Sequence, residues 1–240
     1  MIAWIALVSA EPIVDRMNTA LTNADYPAAE TAIRELLAVG DTAGDVWYNL
    51  GNVLYRQGRL AEAAHAWRTA DVRLPRDPDV DANLELVRRS FRDGLVADDP
   101  APWFAPWQGA MTVEEGMWLG GLLAGAGLLA FVARRRRPEW PLVGIGAAGT
   151  AVGLLFLAGA LTESAARPVG VVVNEEVVVT SDLSGGIELF TLHAGAEVST
   201  IEETQGRTLV GLPDGRKGWL ASTSLLLVDP AQPPAAIEVL

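Results

Sequence analysis

The chain contains no cysteine and only two histidines, His65 and His193, in 240 residues. A disulfide scaffold, a thiolate nucleophile and a cysteine-ligated metal are therefore excluded, as are sites built from several histidines. Basic residues are scarce as well: 18 Lys and Arg stand against 30 Asp and Glu, for a net charge of −12. The imbalance is uneven. Residues 1–117 carry 10 basic and 18 acidic side chains, residues 118–161 carry 4 and 1, and residues 162–240 carry 4 and 11. Both acidic parts would be repelled by phosphate backbones and anionic lipid, so nucleic acid is not an expected partner. The acids are scattered and the serines have no neighbouring base, so neither an enzyme activity, a cofactor nor a metal is expected.

The long apolar runs are confined to the middle. Residues 116–133 (GMWLGGLLAGAGLLAFVA) and 140–161 (WPLVGIGAAGTAVGLLFLAGAL) are 18 and 22 residues without a charge. About 20 apolar residues in a helix span the hydrocarbon core of a bilayer, so two transmembrane helices are expected, over 113–133 and 140–161. The loop between them, 134–139, holds Arg134, Arg135, Arg136 and Arg137, whereas no Lys or Arg occurs from Asp93 to Ala133. Short Arg-rich loops stay in the cytoplasm, which places the loop inside and both flanking modules outside the cytoplasmic membrane. Trp103, Trp107, Trp118 and Trp140 then fall near the two interfaces, where amphipathic rings are preferred. Gly121 with Gly125 and Gly149 with Gly153 are the expected close-packing positions of the hairpin. Residues 1–10 (MIAWIALVSA) read as a short apolar segment, either a signal peptide with a small-residue cleavage pattern or the first turn of a helix.

Ahead of the spans lies an internal repeat. Tyr26 and Leu60, Ala29 and Ala63, Ile33 and Trp67, Asn49 and Asn83, and Leu50 and Leu84 are each 34 residues apart. The set Trp47, Leu50, Gly51, Ala63, Trp67, Ala70 and Pro75 resembles the tetratricopeptide repeat, whose small residues let paired helices approach while large ones fill between them. The resemblance implies about two and a half repeats over 11–92. By family position it also implies a peptide groove lined by Tyr48, Asn49, Asn52, Asn83 and Arg89. A full carboxylate clamp is not expected, because the module has no lysine. His65 is expected to be a solvated surface residue. Residues 93–112, Pro-rich and acidic, read as an extended linker.

After Pro168 the sequence turns to β-branched runs with Gly, Asp, Ser and Pro between them. Strands are expected at 171–173, 177–180, 187–192, 197–202, 208–212 and 218–220, with a tight turn at Pro213-Asp214-Gly215 and a closing element at Ser224-Leu225. Val177 to Ser181, Leu189 to Leu192 with Gly195, and Leu212-Pro213-Asp214-Gly215-Arg216-Lys217-Gly218-Trp219-Leu220 resemble the bacterial SH3 family. That resemblance implies a small all-β barrel over 166–230 that binds peptides or cell-wall components, with a tail at 231–240. Arg216 and Lys217 are its exposed candidates, Trp219 is expected in its core, and His193 is expected on its surface.

The whole is thus a multi-domain membrane protein: an all-α helical repeat, a two-helix transmembrane hairpin and an all-β SH3-like barrel. Its module order resembles the BatE-type family of tetratricopeptide repeat and bacterial SH3 membrane proteins of aerotolerance operons. The resemblance implies a non-enzymatic periplasmic scaffold of the inner membrane, working beside von Willebrand-type membrane proteins and a MoxR-type ATPase. The alternative is an envelope sensor whose SH3-like module binds peptidoglycan.

Overall fold

Helix starts in the N-terminal stretch are set by aspartates just ahead of prolines. Asp25 precedes Tyr26-Pro27 and accepts Ala28 N–H at 3.1 Å; Asp77 precedes Pro78 and accepts the N–H groups of Asp79 and Val80 at 2.9 and 3.4 Å. Proline costs little there, because a first-turn N–H has no helical partner to lose. The computed structural model describes residues 2–40, 43–97, 102–133, 142–164 and 168–228. The chain divides into two units, one of residues 1–99 with 167–240 and one of residues 100–166.

In the first unit, α1 (Ile2–Thr22), α2 (Tyr26–Ala38), α3 (Gly44–Arg56), α4 (Leu60–Arg73) and α5 (Pro78–Arg88) pack each against the next. Residues 2–10 belong to α1, which runs on through Pro12 without a break. Trp47, Leu50, Ala63, Trp67 and Ala70 are buried together with Ile33, Leu36 and Leu84. Gly51 lies flat against Trp67, where an added Cβ would sit 2.5 Å from the indole Cδ1. Only glycine admits the ring. Pro75 stands in the turn after α4. Glu30 ties α2 to the α3–α4 turn, accepting from Gln57, Arg34 and Arg59 at 2.7–2.9 Å. Burial alone would raise its carboxyl, but those donors outweigh it and hold the group below the usual range.

The same unit carries seven strands: β1 (Val169–Val172), β2 (Glu176–Thr180), β3 (Glu188–His193), β4 (Glu197–Thr204), β5 (Arg207–Gly211), β6 (Lys217–Ala221) and β7 (Leu225–Val228). They form one antiparallel sheet in the order β3-β2-β6-β5-β4-β1-β7. Val177, Val179, Leu192, Val198, Val210 and Leu220 supply its buried face. The Pro213-Asp214-Gly215 turn is closed by Leu212 N–H on Arg216 O and Gly215 N–H on Leu212 O, both 2.9 Å. Two expectations need correction. The closing element is a full strand, β7, because Leu226 and Leu227 continue the pairing with β1. Trp219 is not core: Gly218 and Leu220 take the inward positions of β6, which turns Trp219, only half-buried, to the opposite face.

Helices and sheet meet within this unit. Glu197, the first residue of β4, is 1 % exposed, and its Oε1 lies 2.8 Å from Arg88 Nε and 2.7 Å from Arg88 Nη2. Arg68 Nε stands 3.8 Å from Oε2. Residues 93–97 are a strap on the sheet rather than an extended linker: Leu95 O accepts Glu197 N–H at 3.1 Å, and the Leu95 side chain joins the sheet core. Phe91 occupies the space beside Gly195, whose φ of +86° and lack of Cβ both fit the site. Neither histidine is a solvated surface residue. His193 Nδ1 lies 2.9 Å from Asp93 Oδ1 and its Nε2 2.9 Å from Arg92 Nη1. His65 Nε2 lies 3.0 Å from Leu227 O, with its ring edge-on to Trp47.

The second unit contains α6 (Val113–Ala133) and α7 (Leu142–Ser164), packed along their lengths. Thr112 and Glu115 start α6 with a reciprocal pair of bonds, at 3.0 and 3.2 Å, that satisfies two first-turn donors. The helices touch through Gly116, Gly120 and Gly127 on one side and Gly146, Gly149, Gly153 and Ala160 on the other. Gly121 and Gly125 are not part of this contact; a Cβ at either would meet open space. Leu122, Leu128, Leu129, Ile145, Leu154 and Leu155 point outward instead. Residues 102–112 are also no extended linker. They turn back on α7, with Ala105 buried against Gly159, Trp107 stacked on Phe156 at 4.1 Å and Gln108 Nε2 donating to Gly159 O at 2.7 Å. The 134–139 loop with Arg134 to Arg137, and the 231–240 tail, lie outside the described residues.

These contacts can be tested by substitution in each unit. Glu197→Ala should lower the unfolding free energy of the first unit by about 3–5 kcal/mol in urea titration, since it strands a partly buried guanidinium. Arg16→Ala, at an exposed pair with Glu35, should cost at most about 1 kcal/mol. In the second unit, Gly153→Leu should cost about 1–3 kcal/mol by forcing α6 and α7 apart. Gly121→Leu should leave the thermal midpoint in detergent unchanged.

Candidate protein-binding face

Of the residues expected to face a ligand, Tyr48, Asn49 and Asn52 lie on α3, Asn83 lies on α5 and Arg89 stands just past its end. Among them the structure brings Asn52 and Asn83 together. Asn52 Oδ1 accepts from Trp67 Nε1 at 3.3 Å and from Asn83 Nδ2 at 3.2 Å. The assignment of oxygen and nitrogen is chemically fixed: an indole N–H only donates, so it must face the amide oxygen of Asn52, which in turn requires the Asn83 nitrogen. Asn52 Nδ2 and Asn83 Oδ1 are left facing away from this contact. One donor beside one acceptor matches the C=O and N–H of a peptide unit. It does not match a carboxylate, which offers acceptors alone.

Tyr48 and Asn49, both half-buried on α3, flank the pair. Tyr48 is one turn before Asn52 on the same helix face. Two further apolar side chains, Tyr55, which sequence reasoning missed, and Leu86, which it turned toward the repeat array, are exposed and lie three residues beyond Asn52 and Asn83 respectively. Helical spacing alone could have found them. Arg89 does not join the asparagines; its guanidinium pairs with Glu85 one turn earlier, at 2.9 Å, and both are largely exposed.

On the sheet, Arg216 Nε bonds Asp214 Oδ2 at 2.7 Å, and its guanidinium lies 4.6 Å from the centroid of the Phe190 ring. The Arg216 backbone N–H, followed by its side chain, holds the exposed Asp214 carboxyl below the usual range. Lys217 is exposed, and Trp219 stands opposite Leu209 on β5 and Thr180 on β2. Arg216, Lys217 and Trp219 form no converging set with the asparagines of the helices.

The asparagine pair generates a stability test separate from any ligand. Asn52→Ala removes the acceptor of a buried indole N–H and should cost about 1–3 kcal/mol in urea unfolding. Asn52→Asp, which keeps an acceptor oxygen, should recover part of that loss. Asn49→Ala, which breaks no hydrogen bond of the described residues, should leave the midpoint unchanged.

Comparison with known proteins gives one match. Residues 14–78 match the tetratricopeptide repeat family. No curated protein and no solved structure matches the chain. The stretch from 14 to 78 is thus similar to tetratricopeptide repeats, modules that generally mediate binding between proteins.

Proposed function

We propose that the protein is a non-enzymatic adaptor, anchored in the cytoplasmic membrane by α6 and α7, that holds a partner protein by an extended segment across α3 and α5. The observation that carries this reading is the Asn52–Asn83 pair, whose mutual bond leaves one amide donor and one amide acceptor unused, on helices that also expose Tyr55 and Leu86. Membrane anchoring is supported by the distribution of residues on the hairpin. A soluble helix pair buries leucine and exposes polar groups, whereas α6 and α7 bury glycine and expose leucine, over predominantly apolar spans of 21 and 20 residues. Trp103, 91 % exposed, and Trp118 suit the water–lipid boundary.

The Arg134–Arg137 loop orients the hairpin with its tip in the cytoplasm and both modules outside. The sheet, taken as SH3-like, is the second binding module, with Arg216, Lys217 and Trp219 as its contact residues. Two modest binding modules on one anchor raise the effective concentration of a shared partner. The resemblance in module order to the BatE-type family makes von Willebrand-type membrane proteins the first candidates for that partner.

Two experiments test this. The natural absence of cysteine allows single cysteines at Ala43, Arg136 and Ser222 to be probed with an impermeant maleimide after the outer envelope is permeabilised. Labelling at Ala43 and Ser222 but not Arg136 is expected; labelling at Arg136 alone would reverse the orientation. For the groove, a photo-crosslinking amino acid at Tyr48 should capture a partner in cells, and Asn49→Ala with Asn83→Ala should abolish the adduct. An undiminished adduct would remove the asparagines from the binding face.

A further inference from the structure

Both histidines of the chain lie on the seam where helices and sheet of the first unit meet, and each makes a bond across it. His65, on α4, is the donor to Leu227 O of β7, since a carbonyl can only accept. The groups around it are the Trp47 edge from α3, Glu62 on its own helix and Arg34 on α2. His193, at the end of β3, meets Asp93 through Nδ1 and Arg92 through Nε2, both from the strap, with Glu176 opposite it on β2. A guanidinium only donates, so Nε2 must be the acceptor and Nδ1 the donor to Asp93. Asp93 Oδ2 also takes the His193 backbone N–H at 2.7 Å.

We infer that this seam is a pH-sensitive latch, in which the neutral imidazole of His65 holds the sheet on the repeat helices and its protonation releases it. A proton added to His65 places a charge among the packed atoms of α3, α4 and β7. Burial, with a smaller contribution from Arg34, lowers its pKa below the ordinary imidazole value, against the raising effects of the Leu227 carbonyl and Glu62. A histidine depressed in the docked state stabilises docking least at acid pH. The seam is therefore intact above the ordinary imidazole range and weakens as pH falls through it. The bonds of Glu197 to Arg88 and Arg68 lie at the same seam and carry no imidazole, so they set a floor that the latch works against.

Spin labels on Thr31→Cys in α2 and Glu203→Cys at the end of β4, in the full chain in detergent, read the docking as a distance distribution. Both positions are exposed. A single narrow distance is expected at about pH 7.5, with reversible broadening toward longer distances near pH 5, across the range in which imidazole titrates. His65→Gln with His193→Asn keeps a donor toward Leu227 O and toward Asp93 but cannot titrate, and should keep the narrow distance at both pH values. A wild-type distribution that does not change with pH would overturn the latch. Equal broadening in the double variant would also overturn it, by assigning the release to the carboxylates. Should the double variant be broad already at neutral pH, His65→Gln alone decides: a midpoint unmoved from wild type overturns the role of His65, and a more acid midpoint supports it.

Discussion

A carboxylate that is almost wholly removed from water cannot stand alone, and Glu197 is the residue on which the first unit turns. Its neutralisation by Arg88, at the end of the last repeat helix, and by Arg68 on α4 fixes where β4 begins. With that point set, Leu95 is drawn into the sheet core, Phe91 closes over Gly195 and Asp93 reaches His193. Burying an ion pair is not a cheap source of stability, because desolvation offsets most of the attraction. What such a pair does supply is register: only one placement of the sheet on the helices leaves no charge uncompensated.

That placement also bears on why so short a helical array is stable. A repeat solenoid buries its apolar faces only against neighbours, and about three repeats are usually needed. Here α5 is the last helix, and the strands β1 and β7 pack on α4. The sheet takes up the surface that a further repeat would cover. The helices α3 and α5 are thereby held in fixed relation, which is what keeps Asn52 and Asn83 at hydrogen-bond distance.

Much of this could be read from residue order. The 34-residue spacing locates the helices, the aspartate–proline pairs mark their starts, and the turn at Pro213-Asp214-Gly215 separates two strands where expected. The apolar spans were visible from length alone. What sequence could not supply was direction around a helix and contact across long separations. Gly121 and Gly125 have the same four-residue spacing as the glycines that do touch, and only rotation about α6 distinguishes them. Glu197 and Arg88 are more than a hundred residues apart, so nothing local marks either as a partner. His65 and His193 were read as solvated for the same reason. Its position after the turn and a glycine points Trp219 to a core, although the alternation of β6 puts Gly218 and Leu220 inward.

The claim at the centre of this account is that the repeat helices and the sheet are a single cooperative body. Native-state hydrogen exchange on the full chain at about pH 7.5, where the seam is closed, followed at increasing urea, measures it directly. Amides of α4 and α5 and those of β1, β4 and β7 should converge on one opening free energy with one denaturant dependence. Sheet amides that exchange through their own, lower-energy opening while the helices stay protected would contradict it, and would reduce Glu197 to a contact between independent modules.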